Sequence, residues 1–222
     1  MARLDSLTHR RCICTHLPAD ALVFSEKAKY VVVCRDGRDV AWSMHAFGSR
    51  FSPSFVEMAN SLPGVDAPLF EKPDAVDVVD FYKEFLKNDG YPNMPKFWHH
   101  VRSYWELQHL PNVYLLHYNN LKNNLREEIQ KLAGFLGIDV DESKLAKIME
   151  HCSFEYMKQN EAKIIPFLPN MLAEGGVLVN KGTIGRWRDL LSEADIKEYE
   201  EIAESNLGKE CAHWLATGEK LA

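Results

Sequence analysis

Three short segments carry residue types that can do chemistry. Thr15-His16-Leu17-Pro18 sets an imidazole just after a candidate strand over residues 10–15. Imidazole is the side chain best suited to removing a proton near neutral pH. The C-terminal end of a parallel strand is where open α/β sheets keep their ligand crevice. Taken alone, the tetrapeptide fits a structural His beside a turn equally well. Arg35 to Ser43 runs from a strand end into a helix start. Helix N-termini attract anions through free N–H groups and the positive end of the dipole. Arg35 would add a two-pronged charged donor there, and Ser43 a hydroxyl. A capped helix with surface ion pairs among Arg35, Asp36, Arg38 and Asp39 explains the same residues. The third segment is Asn180-Lys181-Gly182-Thr183-Ile184-Gly185-Arg186-Trp187. Gly182 permits close backbone approach and Lys181 brings a point charge, as a loop folding over an anion requires. A solvated turn beside a buried Trp187 is the alternative.

These segments need elements to hold them. Residues 29–34 are a continuous β-branched run, which predicts a strand buried on both faces of a parallel sheet. Asp36 is the predicted N-cap of the helix that follows, with Asp39 placed to answer it. Residues 48–73 read as a long loop, with Phe47, Phe51 and Phe55 at its start. Helices are predicted over 74–86 and 95–107, the second opened by Pro95. Val113–His117 predicts a second buried strand. Helices follow over 124–136, closed by Gly137, and over 141–151. Residues 160–182 read as another long loop. Ser192 caps a final helix predicted to reach Leu215. Strands alternating with helices predict an α/β fold with a parallel central sheet flanked by helices. The order resembles a P-loop-type nucleotide fold, yet no G-x-x-x-x-G-K followed by Ser or Thr is present.

Composition narrows the function classes. The chain has 222 residues, enough for one ordinary domain, taken as residues 1–222. Apolar residues make up 46% and charged residues 26%, a balance that excludes a disordered chain. A net charge of −6 argues against non-specific nucleic-acid binding while leaving room for a local basic pocket. No apolar run approaches the roughly 20 residues of a membrane-spanning helix. Five cysteines, an odd count, predict reduced thiols in a cytoplasmic protein. His99-His100 diverge on a helix and Cys12/Cys14 lack partners nearby in sequence, so no metal site is predicted.

Taken together and in order, the segments resemble the cytosolic-type sulfotransferases, which use 3′-phosphoadenosine 5′-phosphosulfate (PAPS). Lys27 or Lys29 through Ser43 matches the family block that runs from a Lys through Y-V-x-R to D-V-x-x-S. Residues 15–18 match T-H-L-P, and Lys181 to Trp187 match K-G-x-x-G-x-W. Phe97 to Glu106 resembles W-x-x-H-V-x-x-W-W, Tyr118 with Leu121-Lys122 resembles F-Y-E-D-M-K, and His151 to Lys158 resembles H-T-S-F-x-x-M-K. The resemblance implies a P-loop-like sulfotransferase fold. It implies sulfuryl transfer from PAPS, without a metal, to a hydroxyl or amine of a small-molecule acceptor. It gives His16 the role of general base. Arg35 and Ser43 become ligands of the 3′-phosphate, with Asn180, Lys181 and Gly182 in the loop over it, and Tyr118 and Phe154 lie around the adenine. Neither nucleic acid nor membrane is an implied partner.

The departures are specific. The family's T-x-P-K-S-G-T-x-W loop, which cradles the 5′-phosphosulfate, is not found, and the chain is read as lacking that N-terminal strand and loop. Cys14 stands where the family has a Lys, Asn180 where it has an Arg, and Cys152 where it has a Thr. The expectation is therefore a sulfotransferase that turns over weakly or not at all as given. A non-catalytic module that binds adenosine 3′,5′-bisphosphate is the alternative. Oligomeric state and acceptor are left open.

Overall fold

The computed structural model describes residues 6, 8–62, 76–90 and 96–221. Two strands, β1 (Tyr30–Cys34) and β2 (Val113–His117), pair in parallel, with Tyr30 opposite Val113 and Cys34 opposite His117. Both match the sequence expectation. β1 is not buried on both faces, however. Val32 and Cys34 enter the core, while Val31 and Val33 point the other way and are 38% and 59% exposed. That face is covered only in part: Tyr114, opposite Val31, packs on Phe135, and Leu116, opposite Val33, is buried. Residues 10–15 are exposed and have no strand partner, so the predicted strand is absent there.

Each strand runs directly into a helix. After β1 comes α1 (Gly37–Gly48), and α2 (Pro53–Asn60) follows, with the Ser52 hydroxyl accepting the Phe55 N–H. The predicted loop over 48–73 thus contains a helix, and its remainder beyond residue 62 lies outside the described residues. α3 (Val78–Lys87) starts at the Asp77 cap, later than predicted, and Asp74 lies outside the described residues, as does Pro95. α4 (Phe97–Trp105) precedes β2. β2 is followed without a gap by α5 (Tyr118–Asn123), then α6 (Leu125–Leu136) and α7 (Glu142–His151). Gly137 closes α6 at φ +66°, a left-handed cap that glycine adopts without a Cβ penalty.

Two short helices follow: α8 (Phe154–Gln159), in a stretch given no element from sequence, and α9 (Glu161–Ile164), inside the predicted 160–182 loop. The last predicted helix is two: α10 (Glu193–Leu207) and α11 (Lys209–Thr217), broken at Gly208. Gly208 sits at φ +76°, ψ 161°, outside any helical region, so the chain turns there despite its apolar period.

The main core joins these layers. Trp42, Tyr82, Trp98, Tyr104, Tyr199 and Trp214 pack around Val32 and Cys34. A second cluster of Phe51, Leu168 and Leu172, flanked by Phe47 and Phe55, ties α1–α2 to the segment before the Lys181 loop. An isolated antiparallel bridge between Phe51 and Leu172 makes the same connection through the backbone.

Candidate functional site

Parallel pairing sets the site. Because Cys34 lies opposite His117, the next residues, Arg35 and Tyr118, emerge side by side. The Arg35 guanidinium stacks on the Tyr118 ring, 4.3 Å from its centroid, a cation–π contact. Arg35 Nη2 donates to the Thr183 carbonyl at 2.9 Å. It also lies 3.5 Å from the Asp39 carboxylate. Its Nε–H is buried without a hydrogen-bond partner among the described residues.

The turn into α1 is buried rather than a surface ion-pair array. Asp36, Arg38 and Asp39 are 3%, 4% and 1% exposed. Arg38 donates to both Asp36 oxygens, Nε at 3.0 and 3.2 Å and Nη2 at 2.8 Å. Its guanidinium is held between the Trp187 and Tyr199 rings, at 3.8 and 4.5 Å. Asp36 caps the helix by accepting the Arg38 N–H at 2.9 Å. Asp39 does not reach back to answer it. Both its oxygens instead accept the Gly185 N–H at 3.0 Å.

The first two amides of α1, those of Gly37 and Arg38, are already engaged. The Gly37 N–H donates to Tyr199 Oη at 3.0 Å, and a Cβ on Gly37 would meet the Phe97 ring at 2.7 Å. Those two amides are thus not free for an anion, and the cations that line the cavity beside them are side chains.

The third segment closes over the first two. Gly182, at φ +61°, packs against Phe154, where a Cβ would come within 2.7 Å of the ring. Lys122 Nζ is 3.7 Å from that same Cβ position. A cavity of about 1020 Å³ runs between these pieces. Arg35, Ser43, Tyr118, Phe154, Asn180, Lys181 and Gly182 all line it. So do Arg50, Lys122 and Arg186, which sequence reasoning had assigned no role. Lys122 lay within a matched motif, which was its only signal. Arg186 likewise lay within the matched Lys181–Trp187 segment, and Arg50 carried no signal. Toward α6 and α7 the wall becomes apolar, with Ile129, Leu132, Ile138 and Ile148.

His16 is not on this cavity. It is exposed, on a segment docked to α4: Ser103 Oγ accepts the Ala19 N–H at 3.0 Å, and Tyr104 Oη donates to the Leu17 carbonyl at 3.0 Å. The pKa of His100 is lowered first by burial and then by the charges of His16 and His99. His99 in turn meets the Asp20 carboxylate at 3.0 Å. Among the described residues no three His, Cys, Asp or Glu side chains gather as metal ligands would.

A loop glycine with room only for backbone, an orphaned guanidinium N–H and several converging cations form a cradle of the kind phosphate groups occupy. Comparison with known proteins gives the class. The sulfotransferase-domain family model matches residues 1–210, and the chain belongs to that family. Among its relatives, mouse sulfotransferase 1B1 is 30% identical over 197 residues, covering 86% of this chain and 59% of that one. Guinea pig (Cavia porcellus) sulfotransferase 1E1 is 29% identical over 208 residues, covering 90% and 64%. The chain thus spans about three-fifths of the length of these curated relatives. Among solved structures, mouse sulfotransferase SULT7A1 complexed with PAP is similar at a TM-score of 0.71 and 25% identity, over 96% of this chain and 72% of that one. Retinol dehydratase in complex with androsterone and the inactive cofactor PAP is similar at a TM-score of 0.72 and 27% identity, over 93% and 56%. The α/β fold, a small parallel sheet flanked by helices, is that of the sulfotransferases.

Proposed function

We propose that residues 1–222 form the 3′-phosphoadenosine-binding body of a cytoplasmic sulfotransferase, one domain that serves transfer of a sulfuryl group from PAPS to a hydroxyl or amine of a small acceptor. The observation that carries this reading is convergence: Arg35, Ser43 and Lys181, far apart in sequence, line one cavity with Tyr118 and Phe154. Arg35, Ser43, Asn180, Lys181 and Gly182 would hold the 3′-phosphate. Tyr118 and Phe154 would flank the base. PAPS would supply the activated sulfuryl group. For this chain's own residues the work is binding, orientation and, at His16 Nε2 or Nδ1, acceptance of the acceptor's proton. Retinol dehydratase has been crystallised with androsterone and with retinol, small apolar molecules. An acceptor of that chemistry is the class to try first.

Calorimetric titration with adenosine 3′,5′-bisphosphate tests the reading. The unsubstituted chain should bind it. Arg35→Ala and Lys181→Ala should each lose about 1.5–3 kcal/mol, the scale of a hydrogen bond to a charged group. Affinity unchanged in both variants would remove the phosphate from this cavity.

A further inference from the structure

The segment that carries Lys181 and Gly182 has neither helix nor strand from Val179 to Gly185, yet it is pinned at both ends by carboxylates. At the exit the pin is Asp39 on Gly185. At the entry it is Glu161, the first residue of α9. One oxygen, Glu161 Oε1, accepts the N–H groups of both Leu178 and Val179, the latter at 2.6 Å. Two consecutive amides aimed at one point form a small concave donor pair, and a carboxylate bonds such a pair strongly because it is ionised. Between the pins, the Arg35 guanidinium holds the Thr183 carbonyl. The loop is thus fixed at entry, middle and exit by groups from α9, β1–α1 and α1.

Such pinning matters for a loop that must meet an anion. A free loop would lose conformational entropy on binding. A loop already held loses less at that moment. Glu161 contributes no positive charge and does not line the cavity, so it has no direct call on a phosphate.

We infer that Glu161 is a positioning residue for anion binding: through the Leu178 and Val179 amides it sets the Asn180–Lys181–Gly182 turn in its binding geometry before ligand arrives. This rests on the reading that the turn meets a phosphate. Glu161→Gln keeps an oxygen acceptor without the charge, and Glu161→Ala removes both.

The test uses the full chain and adenosine 3′,5′-bisphosphate as probe, with amide hydrogen exchange read on the ligand-free proteins. Glu161→Ala should weaken binding about tenfold, with Glu161→Gln between it and the parent. In Glu161→Ala, exchange should quicken at residues 178–184 and stay as it was in α10 and β2. In a Lys181→Ala background the Glu161→Ala loss should shrink, because a residue acting through Lys181 is not additive with it. Parent-like affinity in Glu161→Ala, full additivity with Lys181→Ala, or faster exchange throughout the fold would each overturn the inference. Failure of the parent chain to bind would instead strike the phosphate reading. The exchange arm would still decide whether Glu161 orders the turn.

Discussion

Gly182 and Phe154 lie so close that a Cβ on Gly182 would stand 2.7 Å from Phe154 Cδ2. Gly182 also sits at φ +61°, where an L side chain is strained. Gly182→Ala therefore meets two penalties at once, backbone strain of about 1–3 kcal/mol and a ring that must move. Because the loop is not part of the core, the cost should fall on loop placement. The expected outcome is weaker adenosine 3′,5′-bisphosphate binding with a melting temperature within a few degrees of the parent. Calorimetry beside thermal denaturation separates the two, and unchanged affinity would mean the contact is not needed.

Arg38 makes a different kind of prediction. Its planar fork matches Asp36, and its faces match Trp187 and Tyr199. Lysine keeps the charge but loses the two-pronged bond and both stacks. Arg38→Lys should destabilise the fold by about 2–4 kcal/mol, as disruption of a buried charged network does. Urea denaturation at neutral pH reads this directly. A loss below 1 kcal/mol would show that the cage is dispensable.

What was legible in the sequence follows from range of interaction. β1 and β2 are largely apolar runs, and the caps at Asp36, Ser192 and Gly137 are local, so each was readable where it stands. The strand expected over 10–15 needed a partner, and a partner is not written into the segment itself. The burial of both faces of β1 likewise depended on what covers Val31 and Val33. The cavity-lining residues were legible only as an ordered set of motifs, since each motif alone had a bland reading. Asp39 and Glu161 were invisible in their true roles. Carboxylate-to-amide bonds across 146 and 17–18 residues leave no periodicity to detect.

His117 predicts a pH dependence of stability. It is 1% exposed. Its Nε2–H donates to the Leu215 carbonyl at 2.9 Å, and its Nδ1 accepts the Asn119 N–H at 3.2 Å. That pair of partners fits only the neutral ring. Burial, with a smaller contribution from Arg35, holds its pKa below the ordinary 6.5, against the Leu215 bond and Asp36, which raise it. A depressed folded value means the unfolded chain takes the proton first. Stability is then complete above about pH 6.5 and is lost as pH falls through the folded value. His117→Gln, which can donate but not titrate, should flatten stability between pH 6.5 and 5 relative to the parent. Urea titrations at each pH check the slope, and parallel curves would assign the dependence elsewhere.

The five cysteines should divide by burial. Cys34 and Cys211 are buried, and burial pushes each thiol up to about 12, Cys34 with a further rise from Cys211. At pH 8 neither offers thiolate. Cys12, Cys14 and Cys152 are exposed. Iodoacetamide at pH 8 should label those three in the folded protein and reach Cys34 and Cys211 only after unfolding. Prompt labelling of Cys34 would contradict its burial in the core it shares with Cys211.

His16 can be tested for its place independently of its role. Its charge is one of the causes that lower His100, after burial and ahead of His99. Like charges disfavour one another's protonation, so removing His16 should let His100 rise toward the ordinary imidazole value. The rise should be partial, because burial and His99 remain. Histidine ring resonances followed by NMR between pH 5 and 8 in the parent and in His16→Ala would show it. A His100 titration that does not move in His16→Ala would separate the two rings and take the acceptor site away from α4.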